Sequence, residues 1–300
     1  MRALPFFLDL MPLPALAEDI LLSGPPIWES APLIALAERQ PVEGVTFTFA
    51  PWTSPEDLRK RITAEAPMMA VAPAPTAAIF DATGMGVRAV SATITEGSLA
   101  LVGRGAAIGD LADLQGTAVA LPFKGYLPHL LMRRIAAPGD HSWTPRYTGS
   151  LVAGLQLLLA GQVETALLAE PLATLALAQD PGLSRRAEIC VLWQGATALA
   201  DCPPAGVVIV NPAFADRPAI LAAYHAAFAD LAADPGQAAR LLAAHFPDLA
   251  QAGEGFSRLH AIDLPLPEHA AVLEGFYAEI LAIEPAAIGG ALPGPDFYGK

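Results

Sequence analysis

Apolar and polar positions divide the chain into alternating strand-like and helix-like segments. Residues 20–22 are an apolar run ahead of Ser23, Gly24, Pro25 and Pro26, the pattern of a strand entering a loop. Residues 30–39 put Leu33, Leu36 and Ala37 on one helical face. Val45, Phe47 and Phe49 then alternate with Thr46 and Thr48, which predicts a half-buried strand. Ser54, Pro55, Glu56 and Asp57 form a helix start: a serine cap, a proline in the first turn, and carboxylates at the positive dipole end. Residues 68–72 read as a buried strand that meets Pro73, Ala74, Pro75 and Thr76 and a helix to Asp81. Gly84, Met85 and Gly86 then turn the chain into a strand over 87–94. Strand and helix alternating in this way predict a mostly parallel sheet covered by helices, with ligands at the carboxyl ends of the strands.

A second block repeats the logic. Residues 99–102 and 117–121 read as strands, the latter feeding Pro122, Phe123, Lys124, Gly125 and Tyr126 and a helix to about Ile135. Ser150 caps a helix with Leu151, Leu155, Leu158 and Leu159 on one face, ended by Gly161. Residues 163–168 form a strand, and Glu170-Pro171 opens the next helix. Residues 207–210 are a return strand, and beyond them the pattern predicts helices only, closing in a Gly- and Pro-rich tail over 289–300.

Composition narrows the function. Of 300 residues, 54% are hydrophobic and 16% charged, so the chain can bury enough apolar surface to fold. The longest uncharged stretch, residues 147–163, contains Gly149, Ser150, Gly154 and Gln156 and is too short to span a bilayer. The net charge of −13 excludes nucleic acid as the expected partner. The basic run Arg59, Lys60, Arg61 lies beside Glu56 and Asp57 and reads as a solvated helix face. Met1 and Arg2 precede a mostly apolar segment interrupted by Asp9, and Ala15, Leu16 and Ala17 form a small-x-small step before Glu18. This pattern predicts an export signal over residues 1–17, against the alternative of ordinary N-terminal chain. No cysteine follows it to carry a lipid. Cys190 and Cys202 have neither zinc nor redox-motif spacing; in an exported chain they can bond, or they remain two separate thiols. There is no G-x-S-x-G elbow, H-E-x-x-H pair or phosphate-binding G-x-x-x-x-G-K-[ST] loop, so neither an enzyme nor a cofactor is expected.

Two motifs carry a family resemblance. Residues 108–120, Ile-Gly-Asp-Leu-Ala-Asp-Leu-Gln-Gly-Thr-Ala-Val-Ala, are similar to the I-x-s-l-x-D-L-k-G-k-x-V-a signature of periplasmic solute-binding proteins. Residues 158–166, Leu-Leu-Ala-Gly-Gln-Val-Glu-Thr-Ala, followed by Glu170-Pro171, resemble a second signature. It belongs to the binding components of nitrate-, sulfonate- and taurine-type ABC importers, a group that includes binders of thiamine precursors. Glu164 stands where that signature has an aspartate. The resemblance implies an α/β fold of the periplasmic binding protein type II-like kind: two lobes, each with a mostly parallel sheet flanked by helices, joined by two crossing strands. It places residues 18–98 with 206–300 in one lobe and 99–205 in the other. It also implies a periplasmic monomer that closes by a hinge on a small organic or oxyanionic solute and delivers it to a membrane permease. The competing classes are an enzyme of thiamine-pyrimidine or menaquinone type on the same fold, and an accessory or sensor protein with a degenerate cleft.

In such a fold the strand-to-helix loops line the cleft, which makes Trp28, Glu29, Thr76, Lys124, Gly125, Tyr126 and Glu170 the candidate ligand residues. Trp28 can stack on a flat solute or cover the lobe core, and Lys124 can meet an anion or solvent. Glu29 and Glu170 can accept from a ligand, although Glu170 can instead serve its helix dipole. Gly125 permits close backbone approach. His129 reads as a structural histidine, and Trp193 as facing either cleft or core.

Overall fold

The computed structural model describes residues 18–137, 143–249 and 253–300; the expected export signal lies outside them. The chain opens in strict alternation: β1 (Glu18–Ser23), α1 (Ala31–Arg39), β2 (Val45–Phe49), α2 (Pro55–Ile62), β3 (Met68–Ala72), α3 (Ala74–Ala82) and β4 (Arg88–Glu96). The second block holds β5 (Leu99–Gly103), β6 (Ala118–Leu121), α4 (Leu127–Ala136), β7 (Thr144–Tyr147), α5 (Leu151–Leu159), β8 (Thr165–Ala169), α6 (Leu172–Gln179), β9 (Ser184–Glu188) and α7 (Ile189–Ala196). β10 (Gly206–Val210) returns to the first block, followed by α8 (Pro218–Ala233), α9 (Pro235–His245), β11 (His260–Pro265) and α10 (Ala270–Ile283). The helix starts follow the local chemistry. Ser54 Oγ accepts from the Asp57 N–H at 3.1 Å, and Ser150 Oγ from the Ala153 N–H at 3.0 Å.

Two sheets result. One has the order β11-β4-β10-β3-β1-β2 and the other β7-β6-β8-β5-β9. Parallel pairing holds for β2-β1-β3 and for β7-β6-β8. The strands that carry the chain between sheets, β4, β5 and β10, pair antiparallel with their neighbours, so both sheets are mixed. The helices-only expectation after residue 210 fails at β11, which adds to the edge of the first sheet.

The first sheet is covered on one face by α1, α8 and α9 through Leu33, Leu36, Tyr224, Phe228 and Leu242. Its other face shares a continuous apolar core with α2, α3, α10 and, in the second sheet's layer, α4 and α7. Trp193 of α7 packs on Phe276 of α10 with ring centroids 5.6 Å apart, so it is a core residue. Arg133 and Arg134 of α4 pair with Glu284 and Glu279 beside them. The remaining face of the second sheet is closed by α5 and α6 through Leu155, Leu158, Leu172 and Ala176. Cys190 and Cys202 form a disulfide with Cα atoms 4.8 Å apart, tying α7 to the segment that enters β10. Among the described residues no helix is long and apolar enough to cross a membrane.

Candidate functional site

Three helix starts from the two sheets meet at one cleft of about 230 Å³. α2 contributes Pro55, Glu56 and Arg59, and α3 contributes Pro75, Thr76, Ile79 and Phe80. From the other sheet come Gly125 and Tyr126 of the β6–α4 loop and Leu127 of α4; Ala287, in the turn Pro285–Ile288, completes the wall. Each helix start presents backbone N–H groups without intrahelical partners, and the macrodipoles add positive potential. Glu56 and Asp57 offset that potential at α2, whereas the first turns of α3 and α4 carry no acidic residue.

The β6–α4 loop is tied down at Pro122, whose carbonyl accepts from the Gly149 N–H at 2.7 Å, and at Gly125. The Gly125 N–H donates to His129 Nδ1 at 2.9 Å, and Gly125 takes φ +81°, a conformation that favours glycine. An accepting Nδ1 requires the neutral ring with its proton on Nε2. Burial, with Arg133 and then Lys124 nearby, pushes the His129 pKa below the usual imidazole value, while Glu284 opposes this. The folded pKa is therefore lower than the unfolded one. Stability from this group is complete above the unfolded value of about 6.5 and is lost as pH falls through the lowered folded value. Urea midpoints measured at pH 7.5 and at pH 5 should fall with acid in the native protein, and His129→Asn, which accepts without titrating there, should fall less. An equal fall in both would remove His129 from the effect.

Tyr126 reaches into the cleft half-buried. Burial, and the charge of Glu56 on the facing helix, hold its phenol above the ordinary tyrosine pKa, so it stays protonated and can both donate and accept. Thr76 is buried in the cleft wall. Lys124 sits on the same loop with its side chain in solvent and outside the cleft lining.

The structure separates the other candidates from this cleft. Trp28 is 3% exposed and packs edge-on against Phe228 of α8 at 4.9 Å, inside the first sheet's core. Glu29 is buried where the chain crosses between the sheets. It accepts from the Thr95 hydroxyl at the end of β4, and a Cβ on Gly206 at the start of β10 would meet its Cγ at 3.4 Å. Burial raises its carboxyl pKa, consistent with that single side-chain partner. The loop carrying these two is closed on itself by Ser30 Oγ, which donates to the Pro25 carbonyl, and tied to the end of β2 by Ser23 Oγ, which donates to the Ala50 carbonyl, each at 2.6 Å. Glu170 has no side-chain exposure and pairs with Arg185, which is 12% exposed. Glu170 also accepts from the Thr174 N–H and hydroxyl, each at 3.1 Å. The 3-10 turn Gly253–Arg258 covers it, and a Cβ on Gly255 would lie 2.7 Å from Glu170 Oε2. Trp28, Glu29 and Glu170 are thus packed beneath elements distant in sequence in this structure. Conversely, Glu56 and Arg59 line the cleft although their own helix gives them the pattern of a solvated face.

A second hollow, of about 180 Å³, lies beside the disulfide between Trp193, Asp201, Pro203, Val272 and Phe276. Among the described residues no group of three or more His, Cys, Asp or Glu is arranged to hold a metal.

The fold matches known structures over nearly its whole length. An ABC transporter protein from Parabacteroides distasonis is 22% identical with a TM-score of 0.78, covering 95% of this chain and 99% of its own. The periplasmic aliphatic sulphonate binding protein SsuA from Escherichia coli is 15% identical with a TM-score of 0.70, covering 94% of this chain and 91% of its own. The alkanesulfonate-binding protein SsuA from Xanthomonas axonopodis pv. citri, bound to MOPS, is 18% identical with a TM-score of 0.67, covering 94% and 96%. The chain therefore has the periplasmic binding protein-like fold, with two mixed sheets flanked by helices. No family model matches the chain, and no curated protein does.

Proposed function

We propose that this protein is the substrate-binding component of an ABC importer, which takes up a small molecule in the cleft between the two sheets and passes it to a membrane permease. The observation that carries the reading is the cleft itself: three helix starts contributed by both sheets converge on one solvent-facing hollow, in a fold shared with importer binding proteins. Such a position lets a solute bridge two bodies and stabilise their closed arrangement. The lobes in this reading are residues 18–98 with 206–300 and residues 99–205. They meet at the crossings from β4 to β5 and from α7 to β10, and residues 1–17 direct export to the periplasm. Thr76, Gly125 and Tyr126 bind the solute, joined by Glu56 and Arg59, with Lys124 at the mouth.

Native mass spectrometry of the purified protein, before and after denaturation, tests this. A small molecule should be released from the native protein, and adding it back at about 100 times its Kd should raise stability by about 2.7 kcal/mol. Tyr126→Ala should weaken its binding roughly tenfold while leaving the denaturant midpoint of the free protein nearly unchanged. A protein that neither carries nor is stabilised by any solute would favour the accessory or sensor class.

A further inference from the structure

Two aromatic rings stand exposed on the lip of the cleft. Phe123 is 45% exposed and Tyr147 37%. Phe123 is one contact away from the cleft lining and Tyr147 two, through His129. Phe123 packs against Tyr126 with ring centroids 5.5 Å apart, and Tyr147 lies edge-on to His129 at 5.5 Å, the ring that holds Gly125. They come from neighbouring strand ends, since Leu121 of β6 pairs with Tyr147 of β7, and both rings extend from that edge. Large apolar side chains kept in water beside a concave site serve as contact area.

The cleft lining has a complementary character. Its charged side chains are Glu56 and Arg59, three residues apart on α2, and among the described residues neither has an ion-pair partner. They cancel in net charge; the first turns of α3 and α4 carry no acidic residue of their own, and Glu56 faces Tyr126 at the start of α4. Such a site offers donors, Arg59 and the free N–H groups of the α3 and α4 starts, together with one acceptor, Glu56, so a solute that carries both signs uses it fully, whereas a bare anion meets the Glu56 carboxylate without using it. The volume of about 230 Å³ is below the roughly 300–1,000 Å³ typical of drug-sized sites, room for one ring and a small polar group.

We infer that the solute is a single-ring compound with a dipolar or zwitterionic end: the polar end enters between α2 and the starts of α3 and α4, and the ring lies against Phe123, Tyr126 and Tyr147. The inference rests on the binding-protein reading above and names the solute class for that same cleft.

Matched pairs of solutes test it by thermal shift and calorimetry: phenylalanine against alanine, benzamide against acetamide, benzenesulfonate against methanesulfonate. Ring-bearing members should stabilise the protein and ringless partners should not, with phenylalanine or benzamide exceeding benzenesulfonate. Phe123→Ser should weaken the ring-bearing solute roughly three- to tenfold, the range expected for one aromatic contact. Ringless members or benzenesulfonate binding as tightly as phenylalanine and benzamide would overturn the solute class and leave the binding-protein reading standing. So would unchanged affinity in Phe123→Ser. Failure of every pair to bind, in a protein that also releases no small molecule on denaturation, would overturn both.

Discussion

Trp28→Ala is expected to destabilise the protein by about 3–5 kcal/mol, the range for removing a large buried aromatic. The indole is 3% exposed and stacks edge-on with Phe228, in the layer that joins α1 and α8 to the first sheet. Truncation removes this contact and leaves a cavity that helices anchored at both ends cannot collapse into. The denaturant midpoint should drop with little change in slope, because the surface exposed on unfolding is nearly the same. Trp28→Phe should recover part of the loss. Solute affinity, measured where the variant is still folded, should stay within about twofold, since Trp28 lies in the core and outside the cleft lining. A large loss of affinity with normal stability would return Trp28 to the binding site.

Arg185→Met should cost a similar amount, about 3–5 kcal/mol, for an electrostatic reason. Glu170 has no exposed side-chain surface, and Arg185 is the cation beside it. Removing that cation leaves a buried carboxylate supported only by the two Thr174 donors. The pair itself is not a large net stabiliser, because both ions are desolvated and Arg185 Nε and Nη1 lack hydrogen-bond partners. The double variant Arg185→Met with Glu170→Gln should therefore recover more than half of the loss: the amide oxygen still accepts from Thr174, the fully buried charge is gone, and Glu188, which lies 3.8 Å from Arg185, keeps Arg258 at 3.7 Å. Equilibrium urea unfolding of the two variants reads the difference directly. If the double variant is as unstable as the single one, the cost comes from packing and not from an uncompensated charge.

For Trp28 and Glu170 a loop position alone does not decide what the side chain meets. Trp28, Glu29 and Glu170 occupy strand-to-helix loops, the right places for ligand residues in this class of fold. Whether such a side chain meets solute or core depends on what lies over it, and here those covers are Phe228, Thr95, Gly206 and the turn Gly253–Arg258. Each is at least sixty residues away in the chain. Thr76, Gly125 and Tyr126 occupy positions given by the same rule, and all three line the cleft.

By itself the sequence determined the alternating strand-helix order of the first block and part of the second, the caps at Ser54 and Ser150, and the apolar layers of the central strands. Each of these depends on a few neighbouring residues: a hydroxyl three positions before an amide, a proline in a first turn, or a run of buried side chains. The strands it left unread, β7, β9 and β11, are all sheet edges. Edge strands bury little and tolerate proline and charge, as in the sequences Thr-Pro-Arg-Tyr and Ser-Arg-Arg-Ala-Glu, so no periodic signal remains in them. Tertiary structure alone decided that the sheets are mixed, that Cys190 meets Cys202, and that Glu56 and Arg59 face Tyr126. Those are relations between segments brought together by packing of the shared core, and local sequence carries no record of which distant surface a helix face will meet.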